Sequence, residues 1–273
     1  MQTLRVTISL ALVALTLGAC APSGAASGSA RPSSTGALAT GAAPAALVIR
    51  YEESAQFELT LPSGRRVYID VYDDSLLEKQ PSANDILLTT VLYAHHYHSG
   101  FAGGFPGRKL VATAGEIRLD DLHVVSFDAS GTGQPVDQQN PTDQMVLIEA
   151  AGLRLLACGD EDQEALTAEQ VVAMGGPIDI AICPLQNTYG DGDPTGRKAL
   201  NVIDQIRPKL LLPTHVIMDE ARKAVAEWAA TYADKAQIAV TVGSLPATTT
   251  MLLLGDHAKD YGTMLKLTPT TSW

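Results

Sequence analysis

Three residues of this 273-residue chain could hold a divalent cation between them: His95, Asp160 and His215. Each closes or follows an apolar run, in ILLTTVLYAH, LLACGD and LLLPTH. Two imidazoles and a carboxylate suit a hard or borderline ion such as zinc or manganese, and they leave coordination positions open for water or substrate. In such a centre all three are ligands, and Asp160 and His95 are the candidate catalytic groups. Residues of these types also scatter through chains without meeting. A second grouping is HHYH, where His96 and His98 beside a glycine-containing loop could supply the ligands if the loop slipped; a solvated histidine-rich loop is the plainer alternative. His123, at a strand start, and His257, near a polar tail, read as structural or exposed.

The elements must decide whether these residues meet. Leu47 to Ile49, then Phe57, Leu59 and Leu61, repeat with a period of two, Pro62 to Gly64 make a turn, and Val67, Ile69 and Val71 resume the alternation. That pattern predicts an opening hairpin. Ile86 to Leu88 form a buried strand leading to His95. Short strands are expected over 110–113, 116–119 and 123–127, followed by a polar loop to residue 144. MVLIEAAGLRLLACGD reads as a second hairpin ending at Asp160. Thr167 with Gln170 makes a capping box and Gly175 a stop, which predicts a short helix. Further strands are expected at 178–182, 210–212, 239–242 and 251–254. Helices are expected from Pro194 to Arg207 and along Ala221, Ala224, Val225, Trp228 and Tyr232. Hairpins first in each half, with helices interleaved later, predict an α/β fold: an αββα sandwich of two mixed sheets.

The N-terminus carries a different kind of signal. Arg5 precedes an apolar run from Val6 to Leu17 and then Gly18, Ala19 and Cys20, too short for a permanent membrane span. Leu17 to Cys20 resembles the bacterial lipobox, which implies a signal peptide over 1–19 and a lipidated Cys20. Ala21, where an aspartate would favour the inner membrane, points to the outer membrane. Residues 20–46 read as the lipidated cysteine and a flexible Gly/Ser/Ala/Pro linker, and 47–273 as one domain with a C-terminal tail. Lys plus Arg total 19 against 30 acidic residues, a balance that argues against nucleic acid as a partner. Cys158 and Cys183 lie in apolar stretches and read as two buried thiols rather than a disulfide.

DILLTTVLYAH, LLACGDEDQEALTAEQ, IDIAICPL and RPKLLLPTH, in this order and spacing, resemble the metallo-beta-lactamase fold family. The resemblance covers roughly 47–244 and is stronger in the C-terminal half. It implies a ligand loop HxHxDH after the ILLT strand, an aspartate in the GD turn matching Asp160, and a terminal histidine matching His215. In that register Thr90 and Leu92 replace two histidines, Ala94 replaces the aspartate that orients water in relatives, and His95 remains. A later histidine is expected where Asp128 or Ser130 stands, and Glu53 is the nearest substitute for a histidine of the first hairpin. The implied centre holds one divalent ion weakly, or none. The readings left open are a single-metal hydrolase of unknown substrate, a non-catalytic envelope protein binding a small molecule or envelope component, and a structural envelope component. Whichever holds, Cys20→Ser should shift the protein from membrane to soluble fractions and abolish labelling by a fatty-acid probe. Unchanged membrane partition would reject the anchor.

Overall fold

The computed structural model describes residues 45–129, 143–160, 165–185, 198–216, 218–255 and 257–273. The expected signal peptide, Cys20, nearly all of the expected linker, Ser130 and Pro194 lie outside the described residues. The elements are β1 (Leu47–Glu53), β2 (Gln56–Thr60), β3 (Arg66–Ile69), β4 (Ile86–Thr89), α1 (Ser99–Gly104), β5 (Arg108–Val111), β6 (Gly115–Arg118), β7 (Leu122–Ala129), β8 (Asp143–Ala150) and β9 (Leu153–Cys158). They continue with α2 (Ala168–Met174), β10 (Ile180–Pro184), α3 (Lys198–Ile206), β11 (Leu210–Thr214), α4 (Met218–Glu227), β12 (Ala229–Tyr232), β13 (Gln237–Val240), β14 (Thr250–Leu253), α5 (Ala258–Leu265) and β15 (Thr268–Pro269).

The strands form two mixed sheets. A six-stranded sheet runs β13-β1-β2-β3-β4-β5, and a nine-stranded sheet runs β15-β12-β14-β11-β10-β9-β8-β7-β6. Strand alternation divides the side chains into layers. Ile49, Leu59 and Ile69 of one sheet pack with Ile148, Leu155, Ile182 and Leu212 of the other in a single core. The residues next to these on the nine-stranded sheet, among them Leu156, Ala181 and Leu211, turn to the opposite face and pack against Met174, Ile203, Ala221 and Ala258 of α2 to α5. Burial on both faces is why β10 and most of β9 and β11 are apolar. Tyr68 and Leu87, on the outer face of the smaller sheet, are covered by Ala102 of α1 and by Phe105. The result is the expected α/β sandwich of two mixed sheets flanked by helices.

Local signals explain several boundaries. Thr167 accepts from the Gln170 N–H while the Gln170 side chain accepts from Thr167, and Gly175 ends α2 with a positive φ of 66°. Ala151 and Gly152, with φ of 54° and 76°, make the two-residue turn between β8 and β9. Two expectations need correction. The helix carrying Ala221 and Ala224 stops at Glu227, and Tyr232 lies on β12, paired in parallel with β14. A ladder of hydrogen bonds there overrides the helical spacing of apolar residues. The C-terminal segment is likewise not a bare tail: α5 packs on the larger sheet, and β15 pairs with β12.

Cys158 and Cys183 form a disulfide, not two thiols. β9 and β10 run in parallel with Ile182 opposite Ala157, so the next residue on each strand, Cys183 and Cys158, falls side by side on the helix-covered face. Burial of each cysteine was legible, but their adjacency depends on strand register. The bridge closes a loop with a sequence separation of 25, which chain-entropy arguments value at about 3 kcal/mol. Cys158→Ala with Cys183→Ala should therefore cost roughly that amount in urea unfolding. An unaltered midpoint, together with two reactive thiols in the denatured parent, would show the bridge to be absent.

Candidate metal centre

Four strand ends converge at one edge of the sandwich. Asp70 follows β3, Thr90 follows β4, Asp160 lies just beyond β9, and His215 follows β11. β3 runs parallel to β4, and β9, β10 and β11 are parallel to one another, so these residues all sit at carboxyl ends.

After Thr90 the chain turns. The His96 N–H donates to the Tyr93 carbonyl at 2.9 Å, and the turn carries His96 inward until its side chain is 1% exposed. His95 is left exposed, edge-on to Tyr72 with ring centroids 6.2 Å apart. The structure thus brings together His96, Asp160 and His215, and His95 is not one of the three. Expecting His95 as the ligand assumed that the relatives' loop geometry persisted after ILLT; the turn over 93–96 displaces the inward position by one residue.

His96 is held from both sides. Its Nδ1 lies 2.8 Å from Asp70 Oδ2, and its Nε2 lies 3.1 Å from both Asp160 Oδ1 and His215 Nε2. His215 Nε2 is 3.6 Å from Asp160 Oδ1. Asp70 is itself fixed, accepting from the Thr90 N–H and hydroxyl, each at 2.7 Å. Neither Asp70 nor its role was found from the sequence; the available signal was a lone acid ending an apolar strand, as at Asp160.

Three donor atoms separated by 3.1, 3.1 and 3.6 Å match the ligand spacing of a tetrahedral zinc site, about 3.3 Å for metal–ligand distances near 2.0–2.1 Å. A carboxylate on the far nitrogen of a ligating histidine is the usual support for such a ligand. Buried polar atoms without a partner among the described residues are Asp143 Oδ2 and Thr214 Oγ1, and both belong to residues beside this centre. The donor set therefore fits one divalent ion.

A family model described as a beta-lactamase superfamily domain matches residues 48–215. The chain belongs to that family. No curated protein matches it. Among solved structures, a Thermotoga maritima protein assigned to the Zn-dependent hydrolases of the metallo-beta-lactamase superfamily aligns with a TM-score of 0.55 at 16% identity, covering 77% of this chain and all of that one. Igni18, a metallo hydrolase from the archaeon Ignicoccus hospitalis, aligns at 0.46 and 16%, covering 66% and 91%. At such identities the structural likeness speaks for the fold alone.

Relative to the metallo-beta-lactamase pattern, the centre is degenerate. Thr90 is fully buried and bonded to Asp70, Leu92 is 56% exposed, and Ala94 is exposed. Asp128 accepts from Gln144 Nε2 at 3.0 Å and is not among the clustered ligands. His98 pairs with Asp74 at 3.2 Å, and His123 sits between Glu116 and Glu149. Gly159 presses against the buried Asp143: a Cβ there would collide with Asp143 Oδ1 and lie 2.5 Å from Thr90 Oγ1. The glycine before Asp160 is thus a packing requirement. Burial pushes the Asp143 carboxyl well above its usual range.

The electrostatics fix one proton. Burial alone would lower His96, but the charges of Asp70 and Asp160 and hydrogen bonds to them raise it to about 10. Burial pushes Asp160 up, yet the His96 hydrogen bond and the nearby imidazoles hold it below the usual carboxylate range. Burial and the charge of His96 lower His215. At neutral pH, Asp160 and His215 are thus ready to ligate, and His96 must lose a proton first. Because that proton competes with the ion below about pH 10, zinc affinity should rise about tenfold per pH unit between roughly pH 6 and 9. Calorimetry in buffers of different ionisation heat should find one proton released per ion. An affinity independent of pH would show that His96 is not protonated in the metal-free centre.

Proposed function

We propose that the protein is a hydrolase working with one divalent ion, zinc or manganese, and tethered through lipidated Cys20 to the outer membrane of a bacterial envelope. The observation that carries the hydrolase reading is the donor triangle of His96, Asp160 and His215, with Asp70 behind His96. An ion bound there supplies Lewis acidity and makes a water molecule more acidic at neutral pH. The chain's own part is positional. His96 and His215 present Nε2 atoms, Asp70 fixes the His96 ring, and Asp160 adds a carboxylate oxygen that also orients water. In this reading His95, exposed and within electrostatic reach of Asp160 and His215, hands a proton to a departing group. Substrates of this chemistry are small esters, amides or phosphoesters. The anchor rests on Leu17 to Cys20 and on the linker composition. The buried disulfide agrees with an oxidising compartment such as the envelope.

One observation favours a second reading. In the register fixed by ILLT, Ala94 takes the place of the aspartate expected to orient water, and it is exposed; in this reading the fold keeps its cleft as a non-catalytic binding surface.

Titrating the metal-free protein with zinc or manganese should reveal one site, and His215→Ala should weaken it at least about 100-fold, the scale of losing a ligand rather than a supporting group. The unfolding midpoint should barely move, because the core does not pass through the site. Hydrolysis of an ester, amide or phosphoester panel that is lost in His215→Ala establishes the enzyme. One intact site with no turnover of any panel member supports the binding protein, and two tightly bound ions would sink both.

A further inference from the structure

A cavity of about 270 Å³ opens beside the candidate metal centre, sharing His215 as a wall. Its size is at the small end of small-molecule sites. Two carboxylates, Glu52 and Glu53, line it, with no lysine or arginine among the described residues. Their situations differ. Glu52 is paired with Arg50, whose Nε and Nη2 donate at 2.5 and 3.1 Å. Glu53 is exposed and has no cationic partner among the described residues. Its side chain there accepts one long hydrogen bond, from the Tyr72 hydroxyl at 3.4 Å.

The remaining walls are aromatic and apolar, chiefly Tyr51, Tyr261 and Leu254. Tyr51 is fixed in place. Its hydroxyl donates to the Ser54 carbonyl at 3.1 Å, and its ring packs on Phe57 with centroids 4.7 Å apart. Gly255 leaves the ring its room, since a Cβ there would lie 2.7 Å from it. The backbone is held as firmly: Ser54 and His215 both adopt positive φ, 54° and 43°, and the His215 N–H donates to Ser54 O at 3.2 Å. Strain of this kind persists only where the surroundings enforce it, and it gathers at binding sites.

A rigid aromatic wall beside an unneutralised carboxylate attracts an organic cation, through the ring quadrupole and through charge. An anion would instead use His257, the residue just before α5 and another part of the lining. The chain's formal charge of −11 and the carboxylates of Glu53 and Asp160 weigh against it. We propose that this cavity binds an organic ammonium group, the cationic end of a substrate whose scissile bond lies over the donor triangle. The word substrate rests on the hydrolase reading; the binding does not.

The test separates the two. Choline and its uncharged carbon isostere, 3,3-dimethylbutan-1-ol, are titrated by calorimetry into the folded protein, with and without zinc. Choline should bind at least tenfold more tightly than the alcohol in both states, and Glu53→Gln, an isosteric change at an exposed position, should erase the difference. Equal binding of the two, a preference for inorganic phosphate, or no choline binding by protein that takes up zinc would overturn the ammonium site. Choline binding retained in a protein that takes up no zinc would uphold the cavity and overturn the hydrolase reading.

Discussion

Two imidazole nitrogens, His96 Nε2 and His215 Nε2, face each other at 3.1 Å in a largely buried setting. Two lone pairs cannot rest at that separation, nor can two N–H groups, so a proton or a metal ion must lie between them. Asp160 Oδ1 closes the same triangle and supplies negative charge for either occupant. Without metal, the protonated His96 bridges Asp70 and Asp160 as a buried, hydrogen-bonded cation. With metal, the same geometry presents three donors. An ion taken up there would replace that proton with little rearrangement of the three donors.

The sandwich serves this triangle by bringing strand ends from both sheets to one edge. β3 and β4 deliver Asp70 and Thr90 from the smaller sheet; β9 and β11 deliver Asp160 and His215 from the larger. The backbone is pressed to do so. Of the non-glycine residues with positive φ, Ser54, Asp70 and His215 all lie at this edge, each at a cost of order 1–3 kcal/mol that the packed layers must offset. The disulfide joins β9 and β10 just before the Gly159–Asp160 turn. It helps keep the Asp160 strand end in register with its neighbour.

Much of this was legible in the sequence, for identifiable reasons. Strands buried on both faces read as apolar runs, the α2 capping box is a local signal, and the strand exits marked Asp160 and His215. What failed was set by register and turns. A one-residue displacement after ILLT exchanges His95 for His96, and periodicity cannot reveal it, because the turn over 93–96 is closed by a backbone hydrogen bond open to most residue types. The disulfide needed the pairing of β9 with β10. Tyr232 continued a helical spacing but was drawn into a sheet by β14. Asp70 and Asp143 carry no local mark, since a single acid at the edge of an apolar run is most often a solvated strand end and only the fold shows these two to be buried.

The departures from the metallo-beta-lactamase pattern are not merely deletions. A histidine at position 90 would reach from the end of β4 toward a second ion. Thr90 is too short for that, and its hydroxyl instead donates to Asp70, the carboxylate that orients His96. A position where the family resemblance implies a ligand here supports His96, one of the three clustered donors. At positions 92 and 94 the chain has left the interior: Leu92 and Ala94 are exposed, and Tyr93 between them is 47% exposed. The loop that would have wrapped a second ion has become an apolar rim. Ligand number and support go together in this arrangement: the positions expected to hold a second ion carry no histidine or carboxylate, and His96 has a doubly hydrogen-bonded carboxylate behind it. Restoring a histidine at 90 alone would therefore remove the Thr90 hydroxyl from Asp70 and loosen His96 before it added a donor. The three-donor cluster is thus locally self-consistent, and a two-ion centre would require several changes at once.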